Sequence, residues 1–97
     1  MNLTHIKLKN GQDVIAYADH ASTEILSMEH PVILEYHVEY GLTARWWSAY
    51  SEPDRIDIRM SDTLFVNPAS EVAIEQYENF VKRMSSNQYD LEDYTVH

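Results

Sequence analysis

The sequence predicts a mainly β fold, a small barrel closed by a strongly bent sheet, with one α-helix at the C-terminus. Short stretches between residues 3 and 66 alternate apolar with polar side chains, as half-buried strands do. Asn10-Gly11 and Gly41-Leu42 each separate two such stretches, which is typical of tight hairpin turns. After Pro68 the apolar residues recur at helical spacing instead. These observations together predict five or six short strands followed by a helix.

The first two strands are predicted on either side of Asn10-Gly11. Asn-Gly enters a type I′ turn readily, because both central residues of that turn need a positive φ. We therefore expect Thr4 to Lys9 to pair antiparallel with Gln12 to Ala18.

A second hairpin is predicted around Gly41-Leu42, with glycine at the first central position of a type II′ turn. One face of the strand before the turn carries Val32, Leu34, Tyr36, Val38 and Tyr40. A two-residue loop would place Tyr36 opposite Trp47 in the core. The same register would place His37 opposite Trp46 on the outside.

The remaining strands are shorter. Ile25 to Met28 predicts a strand that Pro31 bends or interrupts, and alternation from Ile56 to Met60 predicts another. Ser61-Asp62-Thr63 predicts a tight turn into a final strand, Leu64-Phe65-Val66.

A helix is predicted over about residues 69–85. Its N-terminal cap is either Asn67, followed by Pro68, or Ser70. Lys82-Arg83 suit the last turn of a helix electrostatically, so we expect the helix to end there. Its apolar face, which should dock on the sheet, carries Ile74, Tyr77, Val81 and Met84, flanked by Ala73 and Phe80. Residues 86–97 contain three acids and no Lys or Arg, and are predicted to form a mobile acidic tail.

Composition limits the classes of function. A chain of 97 residues predicts a single domain, with the barrel over about residues 3–67. The formal charge of −9 opposes binding to polyanions unless the few cations are gathered in one place. Cysteine is absent, which is compatible with a reducing cytoplasm, and no segment is apolar and long enough to span a bilayer. The sequence thus predicts a soluble cytoplasmic protein with no membrane partner.

Catalytic and metal chemistry are not expected. The five histidines form no His-x-x-x-His pair and no cluster of two histidines with a carboxylate on one predicted element. No nucleophile motif lies at a strand-to-helix turn, and two glycines cannot make a phosphate-binding loop. We therefore predict no enzyme, no metal site and no cofactor.

SH3-like and OB-like barrels both fit this pattern of elements. The segment from Leu8 to Ala16, with Leu8-Lys9-Asn10-Gly11 at its start, and the later segment Ile58-Arg59-Met60-Ser61 resemble the Sm/LSm family of RNA-binding proteins. Over about residues 5–84 the chain looks like Sm-like proteins of cyanophages and ocean metagenomes. The resemblance implies a bent five-stranded barrel of the SH3 type that joins its neighbours edge to edge in a homo-oligomeric ring. It also implies contact with RNA at the pore, and the cytoplasm of an infected host cell if the chain is of phage origin.

The resemblance implies where nucleic acid would bind. It selects the loop after the second strand, with Asp19 and His20, and the segment Arg59, Met60 and Ser61. That loop lacks the asparagine of the family pattern, Met60 replaces a glycine, and the helix is C-terminal instead of N-terminal.

Two further surfaces are candidates. Leu64, Phe65 and Val66 in the last strand are the expected contacts between subunits. His37 and Trp46 would form a stacking platform for an unpaired base if they share a face, whereas the alternative is that this surface is an interface or is covered by the C-terminal helix. We expect binding of RNA or single-stranded DNA. The alternative is a protein-interaction or virion assembly module that binds no nucleic acid.

Overall fold

The computed structural model describes residues 2–47 and 55–96, with side chains described up to Ser85. Six strands, a short 3-10 turn and one helix follow in chain order. The strands are β1 (Asn2–Leu8), β2 (Asp13–His20), β3 (Ile25–His37), β4 (Gly41–Trp46), β5 (Arg55–Arg59) and β6 (Thr63–Pro68). The 3-10 turn, Met60–Asp62, connects β5 to β6, and the helix is α1 (Glu71–Val96).

The strands form one bent antiparallel sheet in the order β4-β3-β2-β1-β6, and β5 pairs with the first half of β3. The mainly β prediction with a C-terminal helix is confirmed, but the closed five-stranded barrel is wrong. Among the described residues β5 pairs with β3 and β6 pairs with β1, and no ladder joins β5 to β6. The sheet is therefore open between these two strands.

The first hairpin forms, but its predicted turn type is wrong. Thr4 lies opposite Ala16, and the three residues Lys9, Asn10 and Gly11 make the loop. Gly11 alone has a positive φ, +92°, and its amide donates to the Leu8 carbonyl at 2.9 Å. This is the three-residue loop in which one left-handed residue suffices. The Asn10 side chain instead accepts a hydrogen bond from the Gln12 amide at 2.9 Å.

The second hairpin turns earlier than predicted. Gly41 pairs with His37, so Val38, Glu39 and Tyr40 make the loop. Trp46 consequently lies opposite Val32, and the predicted pairing of His37 with Trp46 is wrong. The predicted pairing of Tyr36 with Trp47 is wrong as well, since Tyr36 lies opposite Leu42.

A kink divides β3 into two halves with different partners. Ile25 to Glu29 pair with β5, and Val32 to His37 pair with β4. Between them His30 has a φ of +50°, and the register of β2 against β3 shifts at the same place. Pro31 thus bends one long strand, as the sequence predicted.

Both faces of the sheet are buried over part of their area, because Val14 and Ile15 on β2 point to opposite sides. The inner core contains Ile6, Leu8, Val14, Ala16, Ala18, Leu26, Met28 and Ile33. The outer core lies under α1 and contains Ile15, Val32, Leu34, Tyr77 and Phe80. The predicted docking of the helix is confirmed, with Val81 and Met84 packed at the margin of the outer core.

The N-terminus of α1 agrees with one of the two predicted caps, whereas its C-terminus lies further along the chain than predicted. Ser70 is the N-terminal cap, since its hydroxyl accepts a hydrogen bond from the Ala73 amide at 3.2 Å. The helix continues to Val96, so the predicted helix end near residue 85 is wrong and residues 86–96 are helical. Neither Gly nor Pro occurs in this segment, so no residue type there interrupts a helix.

Asp13 links the first two strands on the outer face. Its carboxylate accepts hydrogen bonds from His5 Nε2 at 2.8 Å and from Lys7 Nζ at 3.1 Å. Partial burial raises the pKa of Asp13, but the hydrogen bonds from His5 and Lys7 outweigh it and hold the pKa below its usual value.

We expect Tyr77→Phe to lower the free energy of unfolding by about 1 kcal/mol, because the Tyr77 hydroxyl donates to the His30 carbonyl at 2.8 Å. Tyr77→Ala should cost about 2–4 kcal/mol, since it also empties a buried site. Urea unfolding measures both. Tyr17→Phe is the matched control. An unchanged midpoint for both Tyr77 variants would mean that α1 does not stabilise the sheet.

A second expectation concerns pH. The folded pKa of Asp13 is lower than its unfolded value, so the ionised carboxylate stabilises the fold above about pH 4. That stabilisation should disappear as the pH falls below this value, through the folded pKa. Asp13→Asn should therefore be less stable than the wild type at neutral pH, and the difference should shrink on acidification. A difference that is constant from neutral to acidic pH would contradict this.

Candidate nucleic-acid interface

The loop between β2 and β3 and the 3-10 turn meet at one side of the sheet. The Met60 amide donates a hydrogen bond to the Glu24 carbonyl at 2.7 Å, and Ile25 pairs with Arg59. The two segments selected from the sequence as the nucleic-acid site therefore lie side by side, although about forty residues separate them along the chain.

The loop has its own internal hydrogen bonds. The Ser22 hydroxyl accepts bonds from the amides of Glu24 and Ile25 at 3.2 and 3.1 Å. The Ala21 amide donates to the Ile25 carbonyl at 3.0 Å. These bonds hold the Glu24 carbonyl where the 3-10 turn reaches it.

Arg59 is one exposed cation beside the 3-10 turn, which Lys9 also adjoins. Its side chain is 74% exposed, and Nε lies 3.4 Å from a carboxylate oxygen of Asp62. The contact is a surface ion pair, which water screens and which costs little to break. The guanidinium could therefore exchange Asp62 for a phosphate or stack on a base.

Met60 and Ser61 differ in what they can contact. Met60 is half-buried and packs against the inner core, whereas Ser61 is exposed. The Met60 carbonyl accepts a hydrogen bond from the Thr63 hydroxyl at 2.8 Å. Met60 thus fixes the position of the turn, and Ser61 is the residue with a hydroxyl open to a ligand.

Asp19 and His20 are exposed at the end of β2, where His20 pairs with Leu26. Both line a cleft of about 240 Å³ at the end of the sheet, together with Asn2, Thr4, Asn67 and Pro68. Arg59, Met60 and Ser61 do not line this cleft. The two halves of the predicted site are neighbours and do not form one cavity.

Carboxylates outnumber cations around this site. Asp19, Glu24 and Asp62 accompany Arg59 and the exposed Lys9, whose amide donates to the Asp62 carbonyl at 3.0 Å. In a single copy the local charge therefore opposes a polyanion.

His37 and Trp46 do not form the predicted platform. Trp46 shares a face with its partner Val32, and His37, five residues along β3, points to the other face. The Trp46 ring contacts Phe80 edge-on, with centroids 5.0 Å apart. The alternative interpretation, that the helix covers this surface, is confirmed for Trp46. His37 instead lies 3.4 Å from the Glu35 carboxylate.

The three predicted interface residues lie on β6. Leu64 is 62% exposed and Phe65 is partly exposed, whereas Val66 packs against the inner core. On one side β6 pairs with β1, and within the described part of the chain no strand pairs with its other side. Leu64 and Phe65 thus lie exposed on an edge strand of the sheet, and Val66 contributes mainly to the fold.

A second cleft, which no sequence pattern indicated, lies beside α1. It has a volume of about 450 Å³, and its walls include Tyr17, His30, Trp46, Tyr77 and Lys82. It lies at the kink of β3, where Tyr17 meets Tyr77 edge-on at 5.8 Å. Only the docking of the helix assembles these residues, so no local pattern could have indicated it.

Within residues 2–47 and 55–96, no three His, Asp or Glu side chains are grouped as a metal site would require. In the same residues no helix combines the length and the apolar character needed to cross a membrane.

Comparison with known proteins gives no relative from which a role could be transferred: no protein-family model and no curated protein matches the chain.

Proposed function

We propose that the chain is an Sm-like protein that assembles edge to edge into a homo-oligomeric ring and binds single-stranded RNA or DNA at the β2–β3 loop and the 3-10 turn. The hydrogen bond from the Met60 amide to the Glu24 carbonyl carries this proposal. It holds the 3-10 turn beside the β2–β3 loop, and these are the two segments that the resemblance to Sm-like proteins assigns to nucleic acid. The role would be in nucleic-acid processing in a phage or its host.

The open sheet supports the assembly. β5 and β6 follow each other in the chain but pair with different strands, and each offers unpaired backbone groups on its outer side in the described structure. Another copy can satisfy these groups, β6 of one molecule adding to β5 of the next. Repetition of that contact closes a ring when the rotation per subunit divides a full turn.

The ring also supports the binding site. Each copy would bring its exposed Arg59 to an equivalent position around the axis, so that several cations act on one strand. The chain charge of −9 opposes this, so the affinity should be low and strongly dependent on salt.

A second candidate is a protein-interaction or virion assembly module that binds no nucleic acid. The ion pair of Arg59 with Asp62 favours it, together with the carboxylates of Asp19 and Glu24 beside it. In this alternative Arg59 would stabilise the 3-10 turn instead of holding a phosphate.

The assembly is tested with Leu64→Asp, which puts a charge on the exposed edge of β6. The wild type should show a multiple of the subunit mass in native mass spectrometry, and the variant should lose the edge contact and fall to a smaller species. Val72→Asp is the matched control, because Val72 is equally exposed but lies on α1. A wild type that is monomeric at all concentrations would refute the ring.

Binding is tested with Arg59→Ala against Arg83→Ala, which removes an equal charge from an exposed position on α1. We expect Arg59→Ala to weaken binding of single-stranded RNA and DNA about tenfold, as for loss of a charged contact, and Arg83→Ala to change it little. Filter-binding titrations over a range of salt measure both.

Equal losses in the two variants would mean that only the overall charge matters. Absence of binding to any single strand at low salt would favour the assembly module.

A further inference from the structure

The turn of the β3–β4 hairpin is an apolar projection. We call Tyr36, Val38, Tyr40 and Leu42 the hairpin tip. Val38 is 93% exposed, and Tyr36 and Tyr40 are 75% and 77% exposed. The sequence pattern placed Tyr36, Val38 and Tyr40 on the same face as Val32 and Leu34, so they were expected to be buried. Because the chain turns earlier, these side chains extend beyond the part of the sheet that α1 covers.

The hairpin tip is an ordered surface. Tyr36 pairs across the hairpin with Leu42, and the Thr43 hydroxyl donates to the Glu35 carbonyl at 3.2 Å. The His37 and Tyr40 rings meet edge-on, with centroids 6.3 Å apart. A partner would therefore find these side chains already positioned.

The exposed apolar area of the hairpin tip is large for one patch on a small protein. Since a buried tyrosine side chain covers on the order of 150–250 Å², the four side chains expose roughly 500 Å². This is near the upper end of the largest apolar patch on a typical monomer, and such patches usually mark an interaction site. Two such patches facing each other would bury roughly 1,000 Å², the lower bound for a specific interface.

The charge around the hairpin tip favours a second copy of this chain. Arg45 lies 2.8 Å from the Glu35 carboxylate, and His37 lies 3.4 Å from it on the other side. The Arg45 hydrogen bond keeps the pKa of Glu35 below its usual value, so this pair stays formed at neutral pH. Within the described part of the chain, Glu39 in the loop has no cationic partner. The four tip side chains themselves are uncharged, so a contact between two tips brings together fewer charges than the net charge of −9 on each chain implies.

We propose that the hairpin tip binds the hairpin tip of a second copy across a two-fold axis, as a contact separate from the β5 and β6 edges. A two-fold contact uses the same patch on both molecules, and an apolar patch with little net charge is complementary to itself. The contact does not require the ring. Where the ring forms, the tips join two rings face to face.

Two substitutions, alone and together, test the proposal by sedimentation velocity. Val38→Asp places a charge in the tip, and its almost complete exposure means that the fold is retained. Leu64→Asp blocks the edge of β6. We expect Val38→Asp to halve the mass of the wild-type assembly, Leu64→Asp to leave a dimer, and the double variant to be a monomer. Val72→Asp, a valine-to-aspartate change on an exposed part of α1, should leave the wild-type mass unchanged.

The variants distinguish failure of the edge contact from failure of the tip contact. If Leu64→Asp has no effect and Val38→Asp turns a dimer into a monomer, the tip contact holds and the ring does not. If Val38→Asp has the mass of the wild type, the tip contact is refuted, whatever Leu64→Asp does. Binding of the wild type to phosphatidylcholine vesicles that Val38→Asp abolishes, without a change in protein mass, would assign the tip to a lipid surface and also refute the proposal.

Discussion

The kink of β3 at His30 and Pro31 is the constraint on which the rest of the structure depends. It lets one strand serve two partners, β5 before the kink and β4 after it. The Tyr77 hydroxyl fixes the kink by donating to the His30 carbonyl, and the Trp47 amide donates to the Pro31 carbonyl at 3.0 Å. A left-handed φ at a residue other than glycine is costly, so contacts of this kind must hold it. The helix therefore acts on the geometry of the sheet and does not merely cover it.

The consequences of the kink reach every candidate surface. The kink turns β5 away from β4, and the 3-10 turn follows β5 in the chain. The Asp62 carbonyl of this turn accepts a hydrogen bond from the Lys9 amide at 3.0 Å. The 3-10 turn is hydrogen-bonded to both the β1–β2 loop and the β2–β3 loop, and Arg59, which directly precedes it, pairs with Ile25. On the other side of the kink, β3 and β4 extend as a hairpin and carry the apolar tip away from both cores. The proposed binding site and the proposed tip contact thus lie on opposite sides of one bend.

The sequence predicted the elements better than their registers. Gly11 and Gly41 were identified as turn residues, but Gly11 needs its positive φ in a three-residue loop and Gly41 pairs with His37 within the ladder. A glycine marks a turn without giving its length, and an odd error in register moves side chains to the other face. Trp46 was therefore expected outside with His37, while it lies with Val32 against Phe80. In the run Val32-Ile33-Leu34 both faces are apolar, and alternation cannot say which one a helix covers. The neighbouring positions of the β2–β3 loop and the 3-10 turn came from the resemblance, since no local pattern relates segments so far apart in the chain.

Electrostatics sets the two proposed interactions against each other. In the proposed ring every copy would add a charge of −9, and the hydrogen bonds of the sheet edges and the apolar contacts of Leu64 and Phe65 would have to overcome the resulting repulsion. Salt screens that repulsion, and a higher salt concentration therefore favours assembly. The same salt weakens the attraction between Arg59 and a phosphate, which depends on release of counterions. A ring that binds nucleic acid would therefore be most stable at high salt, which is the condition under which it binds nucleic acid least tightly. The proposed tip contact would depend less on salt, because its four side chains are uncharged and Glu35 is paired with Arg45, so that Glu39 is the carboxylate each copy would bring to it. A contact of that kind can keep copies associated at low salt, where the exposed cation of the 3-10 turn is most effective.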